Sequence, residues 1–258
     1  MSCFLTFTTD FGTKDGFVAQ MKGVVLKKCA HAVLVDITHD IDPFNIEEAA
    51  LVLRGVFPYF PPATVHLAVV DPGVGGPRRG IVVRAHEQFF VGPDNGLFSW
   101  VLQEADSWEA REIANPDVCI SSPHPTFHGR DVFAPVGAAL ASGYPFDSVG
   151  PIIEDLVSFS MPSPISLSDG LAGEIVHVDR FGNLCSNIEG KALSRSVATI
   201  TVGNIIIRGL STFFSEVPEG HPLALINSFG LLEIAVNRGS AADILALGRG
   251  APVRIIWS

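Results

Sequence analysis

The chain has 258 residues, of which 47% are hydrophobic and 17% charged, a composition that suits a globular protein able to bury one large core or two modest ones. The formal net charge of −10 at pH 7 argues against electrostatic binding to nucleic acid or to an anionic membrane, because both need clustered lysine and arginine. We therefore expect a small-molecule ligand and no nucleic-acid or membrane partner.

The sequence carries no signal for membrane insertion or secretion. No apolar run approaches the roughly 20 residues of a membrane span, and the N-terminal sequence "MSCFLTFTTD" has neither a basic leader nor a signal-length apolar core. We expect a cytoplasmic protein. The cysteines form no C-x-x-C pair and have no histidine nearby at zinc spacing, so we predict reduced, mostly buried thiols. They are Cys3, Cys29, Cys119 and Cys185.

Short apolar runs rich in β-branched residues predict four strands in the first part of the chain. These strands cover residues 3–8, 32–37, 64–70 and 80–85. Between the first two lies a segment, residues 15–28, whose apolar side chains recur at helical spacing. The side chains of that stripe are Phe17, Met21, Val24 and Val25.

A second helix is predicted over residues 45–57. It begins with Asn45 as a candidate N-cap, and Glu48 follows three places on, a variant of the capping box. Strands that alternate with helices are typical of a mainly parallel sheet covered on both faces. We therefore predict an N-terminal α/β domain over residues 1–158.

The composition and the periodicity of the sequence change after about residue 150. Residues 159–170, "FSMPSPISLSDG", are rich in proline and serine and have no helical periodicity, so we predict a linker. Beyond it, short apolar runs such as "AGEIVHVD", "VATITV" and "LLEIAV" are separated by glycine and asparagine. This pattern is typical of a small all-β domain, and we predict a barrel-like one over residues 171–258.

Three acids stand where early strands are predicted to end, namely Asp10, Asp36 and Asp71. In open parallel sheets ligands bind beyond the carboxyl ends of the strands, so a site is expected at these carboxylates. An aspartate at such a position can instead cap the following turn or helix. For Asp36 we favour the capping role, whereas the sequence around Asp10 and Asp71 favours a site.

The loop that begins at Asp71, "DPGVGGPRRG", raises the question of a phosphate site. It lacks the lysine and serine or threonine pair of a Walker A loop, and it leads into a strand instead of a helix N-terminus that would hold a phosphate. The fragments "DFG" and "HGRD" are in the reverse of the kinase order, with no β3 lysine motif or glycine-rich loop before them. We therefore reject both a phosphate cradle and a kinase.

Polar residues remain in loops that face the predicted sheet end. They are Asp10, Asp15, Asp71, Arg78, Asp94, Asn95 and His128. An aspartate beside an arginine stays ionised, and a neutral histidine adds a donor or acceptor near neutral pH. Asp71, Arg78 and His128 can thus orient and deprotonate a water molecule. Each residue also has a structural alternative, since "PDNG" is a good turn sequence, Arg78 can be a surface charge, and His128 can bind a backbone carbonyl.

Motifs along most of the chain resemble a known enzyme family. In order they are "TTDFGTKDGFVAQMKGV", "VDITHDIDPFNIEEAA", "YFPPATVHLAVVDPGVGGPRRGIVV", "FVGPDNGLF", "TFHGRDVFAPVGAAL" and "VDRFGNLCSNI". Together they resemble the S-adenosyl-L-methionine hydroxide adenosyltransferases, relatives of the nucleophilic fluorinase and chlorinase. The resemblance implies an α/β domain followed by a β-barrel domain, and a homotrimer with its sites between subunits. It also implies that S-adenosyl-L-methionine and water give adenosine and L-methionine, with no metal or other cofactor.

The same resemblance assigns the catalytic roles to Asp71, Arg78 and His128. The halogenating relatives have a tyrosine at the position of Asp71, so "DPGVG" aligns this chain with the water-using branch. Either Asp71 or His128 can take the proton from the attacking water, and the sequence does not decide between them.

Contacts with the substrate are also implied by the resemblance. The expected contacts are Asp10 for the ribose hydroxyls, Phe181 and Asn183 for adenine, Asp179 for the methionine ammonium, Ser228 for its carboxylate, and the backbone of Val236 and Arg238 for the adenine edge. Phe229 stands where the fluorinase has an arginine, a departure from the family pattern at the carboxylate end. Glu233 is a lone acid in an apolar strand, and is either an outward-facing strand residue or a ligand contact.

Two other functions fit the residues. A metal-dependent nucleotidase would use Asp10, Asp15 and Asp71 as ligands, because carboxylates suit Mg²⁺ or Mn²⁺. A nucleoside-binding module without turnover would use the same binding residues and release no product.

Overall fold

The computed structural model describes residues 3–160, 162–193 and 197–258. The chain divides into two compact units, the first ending at Phe159 and the second beginning at Ser160. The exact bounds of the two domains and of the linker over residues 159–170 stay a prediction. Part of that segment, Ile165–Leu167, is a short strand.

A seven-stranded sheet forms the centre of the first unit. Its strands are β1 (Cys3–Thr9), β2 (Ala32–Thr38), β3 (Val65–Val69), β4 (Gly80–Ala85), β5 (Gln88–Pro93), β6 (Trp108–Glu112) and β7 (Ile152–Ile153). They lie in the order β2-β1-β3-β5-β4-β6-β7. All four strands predicted in this part of the chain are present, with ends shifted by at most one residue.

The sheet is mixed, which corrects the prediction of a mainly parallel one. The pairs β1–β2, β1–β3 and β3–β5 are parallel, whereas β4 pairs antiparallel with β5 and β6, and β6 with β7. Antiparallel strands need only a tight turn, whereas parallel neighbours need a long crossover. Only His86 and Glu87 separate β4 from β5, so these two strands form a hairpin.

Helices cover both faces of this sheet, as predicted. They are α1 (Phe17–Lys28), α2 (Ile46–Val56), α3 (Ser99–Gln103) and α4 (Ala134–Ala141), with a π-helix over Gly129–Phe133. One buried cluster joins Met21 of α1 to Phe7 of β1 and Val136 of α4. A second cluster joins Leu53 of α2 to Ile81 of β4. The first unit thus has three layers with apolar contacts on each side of the sheet.

The predicted N-cap of α2 is confirmed. Asn45 Oδ1 accepts a hydrogen bond from the backbone N–H of Glu48 at 3.1 Å, and Asn45 Nδ2 donates to Glu48 Oε2 at 3.1 Å. In α1, Met21 and Val25 are buried as predicted, but Phe17 is 44% exposed. The apolar stripe of α1 therefore continues beyond the core toward an exposed aromatic residue.

A buried histidine lies inside the sheet of the first unit. His66 Nδ1 is 2.7 Å from Thr6 Oγ1, and its Nε2 lies 3.0 Å from Gln88 Oε1. The ring stacks on Phe90 with 4.9 Å between ring centroids. Burial lowers the pKa of His66 to about 4, so the folded protein holds a neutral imidazole at neutral pH.

This histidine predicts a loss of stability in acid. In the unfolded chain His66 takes up a proton near its ordinary pKa of about 6.5, whereas in the folded protein it does so only near pH 4. The free energy of unfolding therefore falls as the pH is lowered between these two values. We expect this difference in the pKa of His66 to lower the free energy of unfolding by about 3 kcal/mol over that interval. Urea unfolding between about pH 7 and pH 4 should show a shallower loss for His66→Gln, which can retain a polar contact. His31 is exposed, so His31→Gln serves as the control. Equal slopes of the free energy of unfolding against pH in the wild type and both variants would contradict this role of His66.

Within residues 162–193 and 197–258, the second unit contains an antiparallel sheet of eight strands. They are β8 (Ile165–Leu167), β9 (Gly170–Val178), β10 (Leu184–Glu189), β11 (Val197–Val202), β12 (Ile205–Arg208), β13 (Pro222–Ile226), β14 (Leu231–Val236) and β15 (Pro252–Trp257), with helix α5 (Ala241–Leu245). The main path runs β12-β11-β15-β9-β10-β14-β13, and β8 pairs with β9.

The two ends of this path approach each other. After β12, the backbone N–H of Ser211 donates to the carbonyl of Ala224 in β13 at 2.7 Å. Buried apolar side chains, including Ile175, Leu184 and Ile255, form the core of the unit. The unit is therefore a nearly closed, barrel-like sheet, in agreement with the predicted all-β architecture.

The sequence predicts neither a membrane-spanning helix nor a disulfide bond. Among residues 3–160, 162–193 and 197–258, no helix has the length and apolar character needed to cross a bilayer. The four cysteines are free thiols, with Cys29 and Cys185 buried and the other two half-buried.

Candidate active site

Asp71, Arg78 and His128 contact one another directly. Arg78 Nε donates to Asp71 Oδ1 at 3.0 Å, and Arg78 Nη2 donates to Asp71 Oδ2 at 2.5 Å. The same Nη2 lies 2.8 Å from His128 Nδ1. The guanidinium also stands over the ring of Phe133, 5.3 Å from its centroid. Arg78 thus links the aspartate to the histidine.

The loop between β3 and β4 brings Arg78 back to Asp71. Its turn is held by hydrogen bonds from the N–H of Val74 to the carbonyl of Asp71 and from the N–H of Gly76 to the carbonyl of Gly73. Gly75 has a φ of 75°, and a Cβ there would lie 2.3 Å from the carbonyl oxygen of Pro125. Only glycine allows both this conformation and this close approach to the segment before His128.

Asp131 holds the segment that carries His128. Its Oδ2 accepts the backbone N–H of His124 at 2.8 Å, and its carbonyl accepts the N–H of Ile120 at 2.9 Å. Arg130 forms a two-fold ion pair with Asp131 and stands 5.0 Å over the ring of Phe127. The π-helix begins directly after His128, and such helices are frequent at functional sites.

The electrostatic surroundings keep His128 neutral. Burial and the positive charge of Arg78 lower the pKa of His128, while the charges of Asp71 and Asp131 oppose this shift. A guanidinium has only N–H donors, so His128 Nδ1 must be the acceptor in its contact with Arg78. In a neutral imidazole the other nitrogen then carries the proton. Arg78 therefore selects the tautomer of His128 with a proton on Nε2.

A cavity of about 520 Å³ opens beside Asp71 and His128. Its aromatic wall consists of Phe11, Phe17 and Phe127, whose rings meet edge to face with centroids 5.3–6.0 Å apart. Sequence reasoning missed this wall. The three phenylalanines stand in "DFG", "DGF" and "TFHG". The helical spacing of Phe17 assigned it to the core-facing stripe of α1, and Phe11 was considered only as part of a kinase motif that does not apply.

Asp10 lies close to this region without lining the cavity. Its Oδ2 accepts the backbone N–H of Phe44 at 2.9 Å, and Phe44 has a φ of 69°, which is costly for a residue with a side chain. Asp10 therefore stabilises the strained turn that precedes α2. Asp15 is exposed and is not among the residues that line the cavity.

The capping role favoured for Asp36 is wrong. Asp36 lies inside β2, where Lys22 Nζ approaches its Oδ2 to 2.6 Å and His39 Nε2 approaches its Oδ1 to 3.0 Å. The physical reason is that the strand continues for two residues past the acid, so the carboxylate projects from the sheet toward basic groups of α1 and the following loop.

Asp94 and Asn95 have structural contacts. Asp94 Oδ2 pairs with Arg79 at 2.5 Å, and its Oδ1 accepts the N–H of Val157 at 2.9 Å. Asn95 Nδ2 donates to the carbonyl of Val70 at 2.9 Å, directly before Asp71. Neither lines the cavity, so the structure separates this pair from the contacting group of Asp71, Arg78 and His128.

The second unit has its own cavity, of about 770 Å³. All the substrate contacts expected in this part of the chain line it, namely Asp179, Phe181, Asn183, Ser228, Glu233, Val236 and Arg238. Sequence reasoning missed Phe213, Phe214 and Asn227, which line it too. The aromatic pair in "STFFSEV" was a signal for exposed rings, but no periodicity placed them.

Asp179 fixes the turn between β9 and β10. Its Oδ1 accepts the backbone N–H groups of Phe181 and Asn183, both at 2.8 Å, and its Oδ2 accepts Asn183 Nδ2 at 2.9 Å. Phe181 is 77% exposed and so presents an open ring face. Asn183 is buried and uses one of its two amide hydrogens for Asp179, which leaves the other amide hydrogen and the side-chain Oδ1 for a ligand.

Glu233 faces the cavity and is not an outward-facing strand residue. It is only 6% exposed, and Asn227 Nδ2 donates to its Oε2 at 3.1 Å. Burial raises the pKa of Glu233 and the negative charge of Asp179 adds to the effect, whereas the hydrogen bond from Asn227 opposes it. A perturbed acid in a cavity is a candidate binding group.

Both halves of the chain match models of one family. Residues 5–150 match the N-terminal domain of the SAM hydroxide adenosyltransferases, and residues 173–254 match their C-terminal domain. A relative from Salinispora arenicola, named (R)-S-adenosyl-L-methionine hydrolase, is 40% identical over 98% of this chain and 97% of its own. A fluorinase from Actinopolyspora mzabensis is 32% identical over 98% of this chain and 97% of its own.

A solved structure has the same fold. The crystal structure of an uncharacterized conserved protein from Thermotoga maritima aligns with a TM-score of 0.91 and 36% identity, covering 98% of this chain and 99% of that one. The match thus extends over both units, each with the family's own domain. The chain belongs to the S-adenosyl-L-methionine hydroxide adenosyltransferase family.

Proposed function

We propose that this protein hydrolyses S-adenosyl-L-methionine to adenosine and L-methionine by attack of water on the ribose C5′. The observation that carries the proposal is the direct contact of Asp71, Arg78 and His128 at the edge of a cavity. The name of the relative that is 40% identical over nearly the full chain supports the same activity.

The chemistry explains why such a trio is needed. The bond to C5′ breaks when the sulfonium leaves as a neutral thioether, so the leaving group needs no acid. The difficulty is the nucleophile, because water is weak and hydroxide is scarce at neutral pH. Holding a water molecule in line with the C5′–sulfur bond supplies part of the rate, and removing its proton supplies more.

Under this proposal Asp71 takes the proton from the attacking water. The tautomer set by Arg78 has a proton on His128 Nε2, and Nδ1 accepts from Arg78. Neutral His128 thus has no nitrogen available as a base. It can orient the water by donating from Nε2 to the oxygen, while the carboxylate of Asp71, which Arg78 contacts through both oxygens, accepts the proton. Arg78 stabilises this charge distribution without moving.

The pH dependence of turnover follows from the same arrangement. The neutral form of His128 is the one that accepts from Arg78, so turnover should fall as pH falls through the pKa of His128. Burial and Arg78 lower that pKa, and the acid limb of kcat should therefore lie below the pH at which free histidine titrates. A kcat profile measured from neutral pH downward checks this, and an acid limb above pH 7 would contradict it.

Substrate binding is proposed to follow the family pattern. Asp10 would bind the ribose hydroxyls, and Phe181 would stack on adenine. The side-chain Oδ1 of Asn183 would accept a hydrogen bond from the amino group of adenine. The backbone of Val236 and Arg238 would meet the adenine edge. Ser228 would bind the methionine carboxylate, with Phe229 in place of a charged partner.

The reaction is proposed to need no metal or other cofactor. The competing nucleotidase would need Asp10, Asp15 and Asp71 around one cation. Within the described part of the chain, no three histidine, cysteine, aspartate or glutamate side chains are placed to hold one metal ion. Both oxygens of Asp71 are also bound by Arg78. Product formation that survives EDTA would decide against the nucleotidase.

Assembly and location are proposed from the same family pattern. A homotrimer with sites between subunits predicts a solution mass three times the 27.5 kDa of one chain, which light scattering measures directly. A cytoplasmic location predicts that cell fractionation recovers the protein with cytosolic markers.

The proposed function is tested by product analysis. Incubation with S-adenosyl-L-methionine should give adenosine and L-methionine in equal amounts, at a rate that chloride or fluoride does not change. Adenosine binding without adenosine release would favour the nucleoside-binding module instead. Formation of a 5′-halogenated nucleoside in proportion to halide would assign the chain to the halogenating branch.

A further inference from the structure

His39 directly follows β2, and its ring contacts the last residue of β1. Its Nδ1 lies 2.8 Å from Thr9 Oγ1, and its Nε2 lies 3.0 Å from Asp36 Oδ1. Both His39 and Thr9 are buried. Burial alone raises the pKa of Asp36, but hydrogen bonds from Lys22 and His39 outweigh it, so the pKa lies below its ordinary value. His39 therefore lies between an ionised carboxylate and a hydroxyl group.

The contacts of His39 run in one direction. A carboxylate has only acceptors, so the nitrogen near Asp36, Nε2, carries the proton, and Nδ1 accepts from the hydroxyl of Thr9. The oxygen of Thr9 still accepts, and the backbone N–H of Phe11 donates to it at 3.3 Å. The carbonyl of His39 accepts the backbone N–H of Gly12 at 2.8 Å. His39 thus holds two successive backbone N–H groups, one through Thr9 and one directly.

Residues 9–12 carry an aromatic ring to the wall of the cavity in the first unit. Phe11 lines that cavity together with Asp71 and His128. His39 itself does not line it. Because the position of a ring depends on the backbone that bears it, the contacts of His39 bear on the shape of the cavity through Phe11.

We propose that His39 is a positioning residue, which fixes the backbone at Phe11 and thereby the ring that bounds the cavity beside Asp71 and His128. This rests on the proposed function and goes beyond it by giving a role to a residue outside the cavity. A displacement of about 1 Å at a reacting centre costs on the order of 10²-fold in rate. His39 therefore affects the chemical step without touching the substrate.

The test compares two amide variants of His39. Asparagine places an oxygen near the position of Nδ1 and keeps an acceptor for Thr9, whereas glutamine reaches toward the position of Nε2 and keeps only the contact with Asp36. His39→Gln should lower kcat on the order of tenfold and leave KM within about twofold, because the lost positioning acts in the transition state. His39→Asn should keep kcat within about threefold of the wild type, because the hydrogen bond to Thr9 is retained.

Amide hydrogen exchange reads the position of the backbone without turnover. His39→Gln should speed exchange at the N–H groups of Phe11 and Gly12, and His39→Asn should do so less. Equal kinetics and equal exchange in the two variants would overturn the proposal, because the bond to Thr9 would then not be the one that matters.

His66 provides the matched control. It is also buried, and its Nδ1 lies 2.7 Å from the hydroxyl oxygen of Thr6 in the same strand β1, but it does not line the cavity. Well below its melting temperature, His66→Gln should keep kcat within about twofold of the wild type, since the folded fraction is then nearly complete. A loss of kcat equal to that of His39→Gln would make both histidines merely structural.

The route through Phe11 is tested in a second background. In Phe11→Ala the ring is absent, so adding His39→Gln should change kcat by less than about twofold, because residues that act through one contact are not additive. Equal losses in both backgrounds would overturn the proposal. A wild-type protein that releases no adenosine would overturn the proposed function, whereas unchanged exchange at Phe11 and Gly12 in His39→Gln would overturn the role of His39.

Discussion

Replacing Asp71 by asparagine is expected to lower kcat by a factor on the order of 10²–10⁴ while adenosine still binds. Asparagine has nearly the same shape but no negative charge, so it cannot accept the water proton. Its amide N–H₂ would also face the donors of Arg78, where the aspartate accepts two hydrogen bonds. The loss should appear in kcat, measured by adenosine release at saturating substrate.

Asp155→Asn provides the matched control for Asp71→Asn. Asp155 also pairs with an arginine, Arg79, but its side chain is exposed at the surface. It lines neither of the two cavities, so its substitution should leave kcat within about twofold, as expected for an exposed ion pair. Equal rates for the wild type and Asp71→Asn would remove Asp71 from the mechanism.

Replacing Arg78 by lysine is expected to lower kcat on the order of 10²–10³-fold. The guanidinium binds both oxygens of Asp71 and His128 Nδ1 at once, and a lysine ammonium has no planar fork with which to do so. His128 would then be released from its fixed tautomer. We expect the acid limb of the pH profile to move to higher pH, because a flexible ammonium depresses the pKa of His128 less than the fixed guanidinium.

The neighbouring arginine gives an internal control for this substitution. Arg79 pairs with Asp94 and Asp155 and lies outside the cavity. Arg79→Lys should keep kcat and its pH profile while lowering the melting temperature by a few degrees. If Arg78→Lys and Arg79→Lys behaved alike in kcat, the role of Arg78 as the link between Asp71 and His128 would be wrong.

Local signals account for the elements that were predicted correctly. The cap of α2 depends on Asn45 and Glu48, which are three residues apart, and the early strands depend on continuous apolar runs. The hairpin of β4 and β5 could not be recognised in the same way. Its turn residues, His86 and Glu87, have positive φ values of 51° and 59°, where glycine or asparagine is the usual signal. The parallel character of the sheet was overestimated for that reason.

The site shows the same division between local and distant information. The motifs named Asp71, Arg78 and His128, but the proposal that Asp71 is the base depends on the contact between Arg78 Nη2 and His128 Nδ1, which joins residues 50 positions apart. Asp36 was misassigned because its partners, Lys22 and His39, come from other elements. Phe17 was placed in the core because helical spacing gives the face of a helix and not how far the core extends along it.

Reaction in ¹⁸O-labelled water is the measurement that tests the account most directly. If water activated by Asp71 attacks C5′, the adenosine released from S-adenosyl-L-methionine will carry the label at its 5′ oxygen and the methionine will carry none. Unlabelled adenosine would contradict the account, because the 5′ oxygen would then come from a source other than the attacking water.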